Sequence, residues 1–163
     1  MEYHQKALAI WEEVLDAKHP DLATSYTNIG LTYWSMGRYE QALEYHQKAL
    51  VIREEVLDAK DPDLAASYSN IGVTYLRMGR YDQALAYQQK ALVIREEVLD
   101  AKHPDLATSY NNIGLTYLRM GRYEQALEYH QKALDIEEEV LDAKHPDLAL
   151  SLIHISEPTR PPE

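Results

Sequence analysis

Cysteine and phenylalanine are absent from this chain, glycine occurs only six times, and basic residues are few, 16 Lys and Arg against 27 Asp and Glu. Without cysteine there can be no disulfide and no thiolate metal ligand, and nothing points to an oxidising compartment. The net charge of −11 argues against a nucleic-acid or anionic-membrane partner, because binding to phosphates depends on clustered Lys and Arg that release counterions. No apolar run approaches the roughly 20 residues that a membrane helix needs, and the N-terminus carries no signal-peptide pattern. The expectation is a soluble, cytoplasmic chain that binds neither nucleic acid nor membrane.

What is present suffices for a core: 45% of 163 residues are hydrophobic, enough for one domain. Thirteen tyrosines without a phenylalanine make sense if one Tyr-bearing unit has been copied. The prolines reveal the copies, since Pro20, Pro62, Pro104 and Pro146 are each 42 residues apart. The unit beginning at His19 differs from the one beginning at His103 at only five positions: Thr27 is Asn111, Trp34 is Leu118, Ser35 is Arg119, Val51 is Asp135 and Arg53 is Glu137. Such likeness points to recent duplication.

Each unit reads as helix, turn, longer helix. Proline followed by aspartate starts a helix, because the missing N–H costs nothing in the first turn and the carboxylate suits the positive dipole end. The first helix is expected from about Asp21 to Met36, with Leu22, Tyr26, Ile29, Tyr33 and Met36 as its apolar stripe. Gly37 ends it by taking the left-handed conformation. The second helix is expected from about Tyr39 to Leu57, burying Ala42, Leu43, Ala49, Leu50, Ile52, Val56 and Leu57. Gly30, Ala42 and Ala49 are small where two helices must approach closely.

The run Asn28-Ile29-Gly30-x-x-Tyr33-x-x-x-Gly37-x-Tyr39-x-x-Ala42, followed by Ala49-Leu50, resembles the tetratricopeptide repeat signature and recurs around Asn70 and Asn112. The departure from that pattern lies late in the second helix, where a repeat of about 34 residues has proline and this chain has Glu54, Glu96 or Glu138. The longer unit resembles the repeats of kinesin light chains and nephrocystin-type arrays. The resemblance implies an all-α, right-handed superhelical solenoid of antiparallel helix pairs, with the first helices lining a concave face where peptides bind.

On this reading residues 1–149 form the repeat array. Residues 1–18 are a second helix without its first, 19–60, 61–102 and 103–144 are full repeats, and 145–149 open a fourth. Residues 150–163 do not fit the repeat, and 150–160 resemble the in-frame translation of a sequencing-library adapter; the expectation is an artefactual, poorly ordered tail.

Candidate site residues are those on the flank of the first helix opposite its apolar stripe. By resemblance Asn28, Asn70 and Asn112 form a ladder along the groove, with Thr27, Ser69, Asn111, Leu31, Val73, Leu115, Trp34, Arg77 and Arg119 beside them. An amide can donate to and accept from an extended peptide backbone; the plainer role for these asparagines is to satisfy backbone groups between repeats. Arg77 and Arg119 favour an acidic peptide, although a cation in a last helical turn is favourable whatever binds nearby. Trp34 either caps an apolar pocket or packs. Trp11 stands where later units have Arg53, Arg95 and Glu137, on the expected outer flank. The histidine rows His4, His46, His130 and His19, His103, His145 are interrupted by Gln88 and Asp61 and spaced a repeat apart, too far to converge on a metal. The Glu54-Glu55 pairs read as a solvated face, and no phosphate loop, nucleophile elbow or metalloprotease motif occurs. No cofactor is expected. The function expected is a non-enzymatic scaffold for a protein or peptide ligand. The alternative is a spacer or self-associating array, joined through uncapped ends, within a larger multidomain signalling or adaptor protein.

Overall fold

The computed structural model describes residues 2–144. Among them are seven helices and no strand: α1 (Glu2–Val14), α2 (Pro20–Ser35), α3 (Tyr39–Val56), α4 (Pro62–Arg77), α5 (Tyr81–Val98), α6 (Pro104–Arg119) and α7 (Tyr123–Lys144). The expectations placed on residues 145–163 lie outside the described residues.

Local chemistry sets the ends of the first helices. His19, Asp61 and His103 are N-caps whose side chains accept from the backbone N–H groups of Asp21, Asp63 and Asp105 at 3.1, 2.8 and 3.1 Å. Asp61 therefore does the same work as the histidines it interrupts, because a ring nitrogen and a carboxylate are both acceptors. At the other end Gly37, Gly79 and Gly121 take φ values of 72 to 74°. Arg38 N–H donates to Tyr33 O and Gly37 N–H to Trp34 O, both at 2.9 Å, which consumes two carbonyls left free by the last turn. Met36 caps α2 and is exposed instead of completing its apolar stripe.

The helices pack as antiparallel pairs, α2 with α3, α4 with α5 and α6 with α7, while α1 lies against α2. Within each pair the helices approach tightly at Gly30, Gly72 and Gly114. A Cβ on Gly72 would stand 2.7 Å from Gln88 Cγ and 3.2 Å from its backbone nitrogen, so only glycine lets the helices meet there. Beside this contact the tyrosine rings stack, Tyr33 on Tyr45, Tyr75 on Tyr87 and Tyr117 on Tyr129, with centroids 5.5 to 5.7 Å apart.

No pair makes a core by itself. Leu43 and Leu50 of α3 join Leu64, Ile71 and Tyr75 of α4 and Ile94 of α5 in one cluster, and Leu85 and Leu92 of α5 join the residues of α6 and α7 in the next. Polar links follow the same seams. The Tyr68 hydroxyl donates to Glu54 at 2.8 Å and Arg53 donates to Ser67 at 2.7 Å; Tyr110 with Glu96 and Arg95 with Ser109 repeat both contacts. Burial first, and then the Glu54 carboxylate, push the Tyr68 phenol up to about 12. The acidic pairs are therefore not simply a solvated face: Glu54 joins two repeats, and Glu55 lies 3.2 Å from Lys18.

One stretch departs from the expected repeat. Leu-Asp-Ala-Lys follows α1, α3 and α5 as a loop, in which Asp16, Asp58 and Asp100 accept from the N–H groups of Lys18, Lys60 and Lys102. The same four residues end α7 as helix. The tetrapeptide contains neither Pro nor Gly, so local propensity alone does not choose between loop and helix. Val56 is also exposed and Leu57 is half-buried and extended, where both were expected to be buried in helix.

If burial comes from the neighbour, equivalent leucines should differ in value. Leu85 is 8% exposed and Leu127, the same position in the next repeat, is 70% exposed. Urea unfolding should show Leu85→Ala costing about 2–5 kcal/mol, and Leu127→Ala under about 1 kcal/mol.

Candidate functional site

A cleft of about 270 Å³ lies along the first helices. Leu31 and Trp34 of α2, Ser69, Asn70 and Val73 of α4 and Asn112 of α6 line it. Three successive repeats thus contribute side chains to one concavity. A neighbouring depression of about 390 Å³ brings Arg77 and Arg119 together with Leu76 and Leu115. The side chains of Asn70 and Asn112 make no hydrogen bond to other described residues and are half-buried, so their amides are available. Asn28 is exposed and is not among the residues lining either concavity.

Two expected site residues are occupied internally. The Thr27 hydroxyl donates to Ala23 O at 2.9 Å. Asn111 donates to Glu137 at 3.2 Å, while its Oδ1 lies 3.1 Å from His130 Nδ1. Thr27 has thereby spent its only donor, and Asn111 has its carbonyl and one amide hydrogen engaged. Arg77 lies with its guanidinium 5.3 Å from the Trp34 ring centroid, a cation–π contact between adjacent repeats. Trp34 therefore serves as a platform for Arg77 as well as a wall of the cleft.

Sequence reasoning missed His46. It stands in α3 opposite Gly30, buried to 3% exposure, and also lines the cleft. Among the described residues its Nε2 has no partner, and neither has Gln88 Nε2 at the same place in the next repeat. Gln88 Oε1 does accept from Thr116 at 2.9 Å, so this position faces the following first helix. Burial, with a smaller contribution from the Arg53 charge, pushes the His46 imidazole down to about 4. The pairing of a Gly in the first helix with a His or Gln 16 residues later was the available signal, but a polar side chain in a helix suggests solvent by default. Trp11 is exposed, while its equivalents Arg53 and Arg95 reach the next first helix. Among the described residues no group of three or more His, Asp or Glu side chains is placed to hold a metal ion, and no helix is long and apolar enough to cross a membrane.

The tetratricopeptide repeat family model matches residues 2–55, 63–139 and 105–157. The chain belongs to the tetratricopeptide repeat family. None of the curated proteins matches it in sequence. Among solved structures it is similar to BtubC (BKLC) from P. vanneervenii, with TM-score 0.78 and 22% identity, over 99% of this chain and 59% of that one. It is similar also to a protein described as a kinesin light chain with nearly identical TPR-like repeats, from Podosopora anserina, with TM-score 0.73 and 21% identity, over 85% and 66% of the two chains. Aspartyl phosphate phosphatase F from Bacillus subtilis gives TM-score 0.74 and 23% identity, over 91% of this chain and 37% of that chain. At these identities the likeness is one of fold, and the tetratricopeptide array spans under two thirds of each of those chains. Arrays of this family serve as protein-interaction scaffolds, and this chain has that build.

His46 makes the array acid-sensitive. Unfolded, a histidine binds its proton near pH 6.5; folded, His46 resists it until about pH 4. The fold is therefore fully supported above pH 6.5 and loses up to roughly 3 kcal/mol as the pH falls toward 4. Melting curves of the wild type and His46→Gln, the residue native to position 88, should diverge over that window, with the variant losing less. Parallel curves would show that His46 takes its proton freely in the fold.

Proposed function

We propose that the array is a non-enzymatic scaffold that holds an extended peptide segment against the first helices. The observation that carries this reading is the cleft of Leu31, Trp34, Ser69, Asn70, Val73 and Asn112, drawn from three repeats. Leu31, Val73 and Trp34 offer an apolar seat for one side chain. The Asn70 and Asn112 amides, each able to donate and accept, suit the peptide backbone on either side of it. Arg77 and Arg119 lie in the adjoining depression with Leu115 and favour a segment carrying Asp or Glu.

A displayed peptide library panned against the chain tests this. Captured peptides should lose about tenfold in affinity when Asn70→Ala and Asn112→Ala are combined, from two hydrogen bonds of about 0.5–1.5 kcal/mol each, and Arg119→Gln should relax the acidic preference. Affinities unchanged in the double variant would remove the groove reading.

A second reading, a spacer or self-associating array within a longer adaptor, is favoured by one observation. Leu127 and Leu134 of α7 are exposed, where Leu43, Leu50, Leu85 and Leu92 are buried under the next repeat. Light scattering should report a mass that rises with concentration and falls to that of one chain in Leu127→Glu. A single-chain mass for the wild type at all concentrations would discard this reading.

A further inference from the structure

The three repeats share a lysine near the middle of the second helix, and two of them close it with their own carboxylate. Lys48 Nζ lies 2.7 Å from Glu44, and Lys132 Nζ lies 2.9 Å from Glu128. In α5 the corresponding glutamate is Ala86. Lys90 consequently has no ion-pair partner among the described residues; its ammonium sits 5.3 Å from the Tyr68 ring centroid and 5.4 Å from that of Tyr87. A second difference lies close by. Val93 faces solvent in α5, whereas α7 has Asp135, which accepts a hydrogen bond from Gln131. The α3 copy has the valine, Val51, but keeps Glu44. Only α5 combines an apolar floor with an open cation. Tyr68, Ala86, Gln89, Lys90, Val93 and Ile94 line a shallow, open depression of about 520 Å³, which shares no residue with the asparagine cleft.

We propose that this depression of the middle repeat is a second binding site, which takes a partner helix presenting one carboxylate a single turn away from a Leu- or Val-sized side chain. Charge and shape select that occupant. The carboxylate takes the place that Glu44 and Glu128 fill in the other copies, meeting the ammonium on the side away from the tyrosine rings. The apolar side chain covers Ala86 and Val93, and helical i, i+4 spacing delivers both groups from one face. A run of acidic residues does not fit. The chain itself carries a net charge of −11, and Glu54, engaged by the Tyr68 hydroxyl at 2.8 Å, borders the site.

The test uses the whole chain and a labelled, acetylated Ala/Gln helical peptide with one Glu and one Leu four residues apart, read by fluorescence anisotropy. Saturable binding should weaken at least fivefold in Ala86→Glu and in Lys90→Gln, and by as much when the peptide glutamate is replaced by Gln. Combined Asn70→Ala and Asn112→Ala should leave it unchanged. Ala86→Glu installs the ion pair native to both neighbouring repeats, and equal urea midpoints establish that it is folded. Absence of saturable binding to the wild type, equal affinity for Ala86→Glu, or loss of binding in the asparagine variant would each overturn the proposal.

Discussion

A two-helix unit with an apolar flank on both sides cannot bury both by itself, and the whole molecule follows from that. Within a repeat, Gly30, Gly72 and Gly114 let the helices meet, and the paired tyrosines fill the space beside them. Between repeats, Leu43 and Leu50, or Leu85 and Leu92, are the unfinished side of one unit and the floor of the next. Stability is then a sum over similar interfaces, so repeats with few sequence differences yield a regular stack. The polar contacts at the seams, Tyr to Glu at all three and Arg to Ser at the two that follow α3 and α5, add direction to an attraction that has none of its own.

The same regularity turns small differences between copies into distinguishable features. Thr27 in place of Asn111 leaves His46 without the side-chain partner that His130 has. Trp34 in place of Leu118 gives Arg77 a ring to rest on. Ala86 in place of Glu44 and Glu128 leaves Lys90 without an ion-pair partner among the described residues. Each change leaves the buried leucines and isoleucines of the stack in place, which is why the fold accommodates it.

The architecture was legible because proline, glycine and apolar spacing recur at a fixed period, and each encodes a local geometry that needs no knowledge of the fold. The helix starts at Pro20, Pro62 and Pro104 are of this kind. What escaped was whatever depends on the neighbouring repeat. The burial of His46 and Gln88 depends on the facing glycine and the next first helix. The cap roles of His19, Asp61 and His103 were obscured because a row of histidines suggests ligands before acceptors. Leu-Asp-Ala-Lys occurs both as loop and as helix, so no local rule could assign it. Of the expected groove residues, Leu31, Trp34, Ser69, Asn70, Val73 and Asn112 line the cleft, whereas Thr27 and Asn111 are engaged within their own repeat.

The account claims that each repeat is held by its neighbours and not by itself. Amide hydrogen exchange resolved helix by helix tests this most directly, since it reports the free energy of opening at every position. The strongest protection should fall in α4 and α5, which have a described pair on either side, and protection should decline toward α1 and the distal half of α7. Equal protection across all seven helices would mean that the chain opens as one body, and would contradict the neighbour-by-neighbour account.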